Sequence, residues 1–332
     1  MLIVNIRGLA MAALLGVTVS GIATPASAHR ASSRQAPTVL CGDVAGLVAQ
    51  IRQVNARGSG SISLWPGCRY RLTAPAEPNG ANGLPTITGD LTIIGSSAAI
   101  SRESTATPFR IAEVAPGGSL SLNGITLSGG SATSAVATSG GGVLTRGTLE
   151  LVRSRIAGNT ASGTGGGLAV ASGGRAELTG SAVSGNTGND GGGVHVGPSG
   201  RLTVNGGYLA SNTSTFTGGG LANFGTTELN GMSVRDNKAN TFEGGGIFTS
   251  TGPLTINSSV IRDNTAASDG GGIANFGSSL RLRGSAVYDN AAGGQGGGIF
   301  HQRGSVALTL TSVARNTPDN CAPPGSVPGC SL

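Results

Sequence analysis

Triple glycines begin at Gly140, Gly165, Gly191, Gly218, Gly244, Gly270 and Gly296, in steps of 25, 26, 27, 26, 26 and 26 residues. Self-similarity at such a period marks a chain built by stacking one supersecondary unit that cannot bury its apolar face alone. Composition by itself would leave disorder open, because 60 Gly and 14 Pro stand among 332 residues and 11% of residues are charged. The fixed period excludes an aperiodic low-complexity chain. With 3% aromatic residues, the composition also argues against a stacking-based nucleic-acid binder.

The repeat carries a second marker, an asparagine at Asn159, Asn186, Asn212, Asn237, Asn264, Asn290 and Asn316. Three residues before it stand Ile156, Val183, Leu209, Val234, Ile261, Val287 and Val313, all aliphatic. Eight before it stand Leu151, Leu178, Val204, Leu229, Ile256, Leu282 and Leu308, with further inward positions at ten before and directly after the glycines. Gaps of two between apolar positions are strand alternation, and three such segments fit one period. The chain is therefore predicted to be all-β, a right-handed three-sheet parallel β-helix of about nine to ten coils. In that frame the seven asparagines point inward and form a structural ladder that satisfies turn amides out of reach of water. The glycines fit a tight turn repeated about 4.8 Å away in each neighbouring coil.

The ends depart from the repeat. Val44, Leu47, Val48, Ile51 and Val54 follow helical spacing, with Asp43 as N-cap and Gly58 past the end, so a capping helix precedes the first coil. The expected organisation is residues 1–28 a signal peptide, 29–61 an N-terminal segment with the capping helix, 62–317 the β-helix and 318–332 a disulfide-looped cap. The signal reading rests on Arg7, the apolar run Leu9 to Val19 and the small residues Ala26, Ser27 and Ala28. A membrane anchor is the competing reading, but Gly16, Thr18 and Ser20 interrupt the run. Cleavage leaves 20 basic and 15 acidic residues, a balance of +5, with arginines scattered among acids rather than in a basic stripe. The expectation is a secreted, extracellular protein that binds no nucleic acid and no membrane, and that is a monomer. In an elongated molecule the four cysteines pair locally, Cys41 with Cys68 and Cys321 with Cys330. A zinc site is disfavoured because His29, His195 and His301 lie far from them in sequence.

On these repeats the chain resembles the right-handed parallel β-helix proteins of the pectate-lyase-like superfamily. More narrowly it resembles proteins with polymorphic-outer-membrane-protein repeats, whose signatures are Gly-Gly-Ala-Ile and Phe-x-x-Asn. Gly245-Gly246-Ile247 and Ile261-Arg262-Asp263-Asn264 are the corresponding stretches here, with an aliphatic residue in place of Phe. The superfamily implies that polysaccharide lyases and hydrolases place carboxylates, with or without Ca²⁺ and a basic residue, on one outward face.

Such carboxylates would stand in the outward columns of the repeat. One step before the triple glycine lie Ser139, Thr164, Asp190, Thr217, Glu243, Asp269 and Gln295. Glu243 and Asp269 should be neighbours about 5 Å apart, a spacing suited to Ca²⁺ or to acid/base work. With Lys238, the sole lysine, they are the candidate catalytic set; the plainer reading is exposed turn acids. Asp236, Asp263 and Asp289 stand one step before the asparagines, two of them beside Arg235 and Arg262, and read as compensated turn charges. Asn205, Asn230 and Asn257 make an outward strip that could face sugar. Nine before the ladder asparagines lie Glu150, Glu177, Thr203, Glu228, Thr255, Arg281 and Ala307, also outward. Phe216 with Phe242, and Phe224 with Phe276, read as turn packing rather than sugar platforms. The functional expectation is an exported surface, structural or carbohydrate-binding protein without a catalytic site or cofactor. The alternative is a polysaccharide lyase or glycoside hydrolase acting on an extracellular acidic polysaccharide, the one case in which Ca²⁺ would be expected.

Overall fold

A computed structural model describes residues 38–330, so the proposed signal segment and the start of the chain that follows it lie outside the described residues. The described chain is an all-β parallel solenoid of about 11 turns with a single helix near its N-terminal end. This is slightly longer than the nine to ten coils expected. The extra length comes from the ends, where Thr38–Val39 pairs with Ser63–Leu64 and Cys321–Ala322 pairs with Ile299–Phe300.

Every named strand pairing is parallel and joins equivalent positions of successive rungs. Ile62, Ile93, Leu122, Leu151, Leu178, Val204, Leu229, Ile256, Leu282 and Leu308 form one such column. Tyr70, Ile100, Leu127, Ile156, Val183 and Leu209 begin another. Nearly all these side chains are fully buried in one core that runs from Val39 to Val327. Five triple-glycine rungs have a three-residue strand after the glycines, and three of them continue into a ten-residue strand with a sharp bend, such as Arg201–Ala210 bent at Gly206 and Gly207; in the last two the strand runs on as Ile273–Arg283 and Ile299–Thr309. A two-residue strand follows six of the ladder asparagines, and these six with Ser131–Ala132, which follows Gly130, form a separate sheet that the spacing did not reveal.

The bend into that short strand is made by a left-handed residue. Gly129, Gly158, Gly185, Ser211, Asp236, Asp263, Asp289 and Arg315 occupy this position with φ between 54° and 71°. Glycine adopts it without strain, and Asp is among the better-tolerated alternatives. The charges brought in by the aspartates are paired, Asp236 with Arg235, Asp263 with Arg262 and Asp289 with Arg315. At the triple glycine the constraint is proximity. A Cβ on Gly245 would lie 2.4 Å from the carbonyl carbon of Thr265 and 2.5 Å from the carbonyl oxygen of Gly271, so the rungs could not close on each other.

Behind the bend the asparagines stack. The backbone N–H and Nδ2 of Asn237 donate to Oδ1 of Asn264, and Asn264 donates in the same way to Asn290. Each Nδ2 also donates to a main-chain carbonyl of the preceding rung, as Asn264 does to Val234. The ladder begins where Gly130 N–H donates to Asn159 and ends on Asn320, which accepts from both nitrogens of Asn316. A second buried ladder runs five residues upstream. Ser154 N–H donates to Ser181 Oγ, and Ser259 N–H to Ser285 Oγ, with Gly207 and Met232 interrupting the column.

The helix Val44–Arg57 closes the first rung. Asp43 Oδ1 accepts from Gly46 N–H at 2.8 Å, Gly58 is left-handed at φ 83°, and Leu47, Ile51 and Val54 are buried against the core. Cys41 and Cys68 are disulfide-bonded, as are Cys321 and Cys330. The opposite end is covered unevenly. Cys321–Ala322 pairs beside Ile299–Phe300 and Val327 joins the core, but Ser305–Thr309 and Ser312–Ala314 have a strand neighbour on one side only among the described residues. No described helix is long and apolar enough to cross a membrane.

Candidate functional site

The residue before each triple glycine sits on the shoulder of a turn whose backbone is bonded rung to rung. Gly218 N–H donates to the carbonyl of Glu243, and Gly244 N–H to that of Asp269, at 3.1 and 3.0 Å. Glu243 and Asp269 therefore stand on adjacent rungs, both half-buried. Burial pushes the Glu243 carboxyl above the ordinary carboxylate range; a bond from its own backbone amide opposes this and the Asp269 charge adds to it. Asp269 Oδ1 accepts from Gln295 N–H at 2.7 Å, and Asp190 Oδ1 accepts from Thr217 Oγ1 at 2.8 Å. Lys238 is exposed in the two-residue strand Lys238–Ala239, and among the described residues it makes no ion pair with either acid. The three candidate catalytic residues thus lie near one turn without forming a bonded set. No group of three or more His, Cys, Asp and Glu side chains that could hold a metal gathers among the described residues.

Two phenylalanines stand one residue ahead of this column. Phe216 and Phe242, one residue ahead of Thr217 and Glu243, have ring centroids 5.6 Å apart and remain 38% and 44% exposed. Their backbones are joined by a bond from Phe242 N–H to the Phe216 carbonyl. A pair of large, tilted, half-exposed rings beside carboxylates presents apolar faces and hydrogen-bond acceptors together.

Past the triple glycines lies the outward column of the strands that follow them, and there the structure departs from the expected pairing of Phe224 with Phe276. These two rings do not touch. Phe248 lies between them, at 5.7 Å from Phe224 and 5.4 Å from Phe276, and the series continues to His195 at one end and Phe300 at the other. Strand register explains the fit: His195, Ala222, Phe248, Ala274 and Phe300 form one column, and the two alanines leave room for Phe224 and Phe276. Asn223 and Asn275, fully buried, fix the segments that carry those rings. Asn223 Oδ1 accepts from Thr227 Oγ1, and Asn275 Oδ1 from Ser278 N–H. The signal was present in the sequence as Ala222-Asn223-Phe224-Gly225 and Ala274-Asn275-Phe276-Gly277, a motif repeated every second rung.

Two recesses adjoin this aromatic staircase. One of about 270 Å³ is lined by Ser139, Leu144, Arg146, Thr164, Ala169 and His195 among others. Burial holds the His195 imidazole down to about 4, with nearby Asp190 opposing, and its Nδ1 is enclosed without a partner among the described residues. The other, about 430 Å³ and open, is lined by Ser250, Thr251, Phe276, Gly277, Arg303 and Gly304.

The outward asparagine strip is differently occupied. Asn257 Nδ2 donates to Asn230 Oδ1 at 2.9 Å, Asn230 Nδ2 to Asn205 Oδ1 at 3.1 Å, and Asn205 Nδ2 reaches Glu177. Much of the hydrogen-bonding capacity that could have met a sugar is used within the strip, so it works as an external ladder. His195 and His301 lie four rungs apart, and His301 is bonded to Asn275 instead.

No family model matches the sequence, and no curated protein matches it. Among solved structures the chain is similar to the crystal structure of the pectate lyase Pel9A, with 12% identity over 80% of this chain and 74% of that one and a TM-score of 0.47.

Proposed function

We propose that the chain is an exported β-helix protein, with repeats akin to those of polymorphic outer membrane proteins, that binds a neutral polysaccharide along its triple-glycine face and does not cleave it. The observation that carries this reading is the exposed Phe216–Phe242 pair on the turn that carries Glu243, with Asp269 at the equivalent position one rung on. Ring faces suit the C–H faces of pyranose rings, and carboxylates accept from hydroxyls, whereas an acidic glycan would meet Asp190, Glu243 and Asp269 as like charges. The rigid stack gives that face an extended, straight form without an ordering cost at binding.

The second reading, a glycoside hydrolase or lyase, is supported by one observation. A carboxyl pushed up beside a second carboxylate is the arrangement that acid/base cleavage of a glycosidic bond employs. Affinity electrophoresis of the purified protein through gels containing neutral or acidic polysaccharides, with product release assayed in parallel, separates the two. Retardation by a neutral glycan without products supports binding. Products that disappear in Glu243→Gln establish the enzyme.

A further inference from the structure

The last long strand, Ile299–Thr309, is paired with Ile273–Arg283 on one side. On its other side Cys321–Ala322 covers Ile299 and Phe300 and stops, so Ser305–Thr309 is an open sheet edge among the described residues. Natural sheets blunt such edges with charge, proline or cover. Between Arg303 and Arg315 this rung has neither charge nor proline, although its inner neighbour carries Arg281 and Arg283 and earlier rungs carry Glu150, Glu177 and Glu228 outward. Ala307 occupies that same outward column, and Leu310, just past the edge strand, is 92% exposed.

From this geometry we infer that Ser305–Thr309 is the interface of a tail-to-tail dimer, in which the edge pairs antiparallel with its own copy about a two-fold axis at Ala307. The edge is self-complementary in that register. Ala307 faces its counterpart, Ser305 faces Thr309 and Val306 faces Leu308, so no charge opposes another. Leu310 then falls beside Gly304 of the second copy, where no side chain obstructs it. A second copy is favoured over head-to-tail stacking because the other end of the solenoid is closed by the helix Val44–Arg57, whose Leu47, Ile51 and Val54 seal the first rung. The assembly therefore closes at two subunits, in place of the monomer the repeats alone suggest.

Sedimentation velocity of the mature chain across a wide concentration range tests this. The wild type is expected to shift reversibly from monomer to dimer, and Ala307→Lys, which sets two ammonium groups face to face at the axis, is expected to weaken association at least about tenfold. Thr203→Lys places the same residue in the same outward column within the stack and should leave the dimer intact. Circular dichroism of each variant confirms that the solenoid is retained. A wild type that stays monomeric, an Ala307→Lys variant that dimerises as the wild type does, or growth into filaments would overturn the inference.

Discussion

Asn264 accepts both the backbone N–H and the side-chain amide of Asn237 through a single oxygen, at 3.0 and 2.9 Å, while its own amide donates to Val234 and Asn290. One side chain therefore ties three rungs together in a place that water does not reach, since Asn264 is 0% exposed. The deletion Asn264→Ala leaves the Asn237 amide and the Val234 carbonyl without these partners and is expected to cost about 3 kcal/mol. Asn257→Ala removes a half-exposed bond of the outer strip and should cost less than about 1 kcal/mol. Urea unfolding followed by circular dichroism compares the two; equal losses would contradict the inner and outer assignment.

The bend within the long strands predicts a gain. Ser258 holds φ at 47° and is exposed, whereas the same position on the two adjacent rungs is filled by Gly231 and Gly284, at 60° and 56°. A side chain in this region is strained by about 1 to 2 kcal/mol, part of which the greater freedom of glycine in the unfolded chain cancels. Ser258→Gly should therefore raise stability by up to about 1 kcal/mol, measured as an increase in Tm. An unchanged or lower Tm would show that the Ser258 conformation is not strained.

Acid sensitivity follows from His195. Its imidazole is held down to about 4 by burial against an ordinary 6.5, so the unfolded chain takes up the proton more readily than the folded one. The associated stability is complete above 6.5 and is lost as pH falls toward 4, by on the order of 3 kcal/mol. His195→Phe, which keeps a ring in the staircase, should flatten the fall in Tm across that window. Glu243 acts with the opposite sign. Its raised carboxyl makes the folded state the better proton acceptor, so its ionisation lowers stability as pH rises past the ordinary carboxylate range, and Glu243→Gln should raise Tm at neutral pH.

These residues also show where the sequence is transparent. The ladder asparagines, the inward aliphatics and the helix with Asp43 and Gly58 at its ends could be read directly, because backbone closure imposes one side-chain type at one spacing on every rung. The serine ladder was not legible, since Gly207 and Met232 break its column. The staircase escaped because it repeats at every second rung, with Ala222 and Ala274 yielding space to rings that arrive from two positions further along. Glu243 and Asp269 could be placed on adjacent rungs from spacing, but the direction of Lys238 and the bonding within Asn205, Asn230 and Asn257 depend on side-chain torsions that no periodicity encodes. The short sheet behind the ladder is not legible for a similar reason, because two residues are too few to show alternation.

On the proposed reading the triple-glycine face holds a neutral glycan through Phe216 and Phe242 without cleaving it. Isothermal titration of neutral oligosaccharides into the wild type and into the Phe216→Ala, Phe242→Ala double variant tests it most directly. Saturable binding to the wild type is expected, with a loss of about 2 kcal/mol or more in the double variant at unchanged Tm and no product in the recovered ligand. Equal affinity of the two proteins, or a cleaved ligand whose formation requires Glu243, would contradict it.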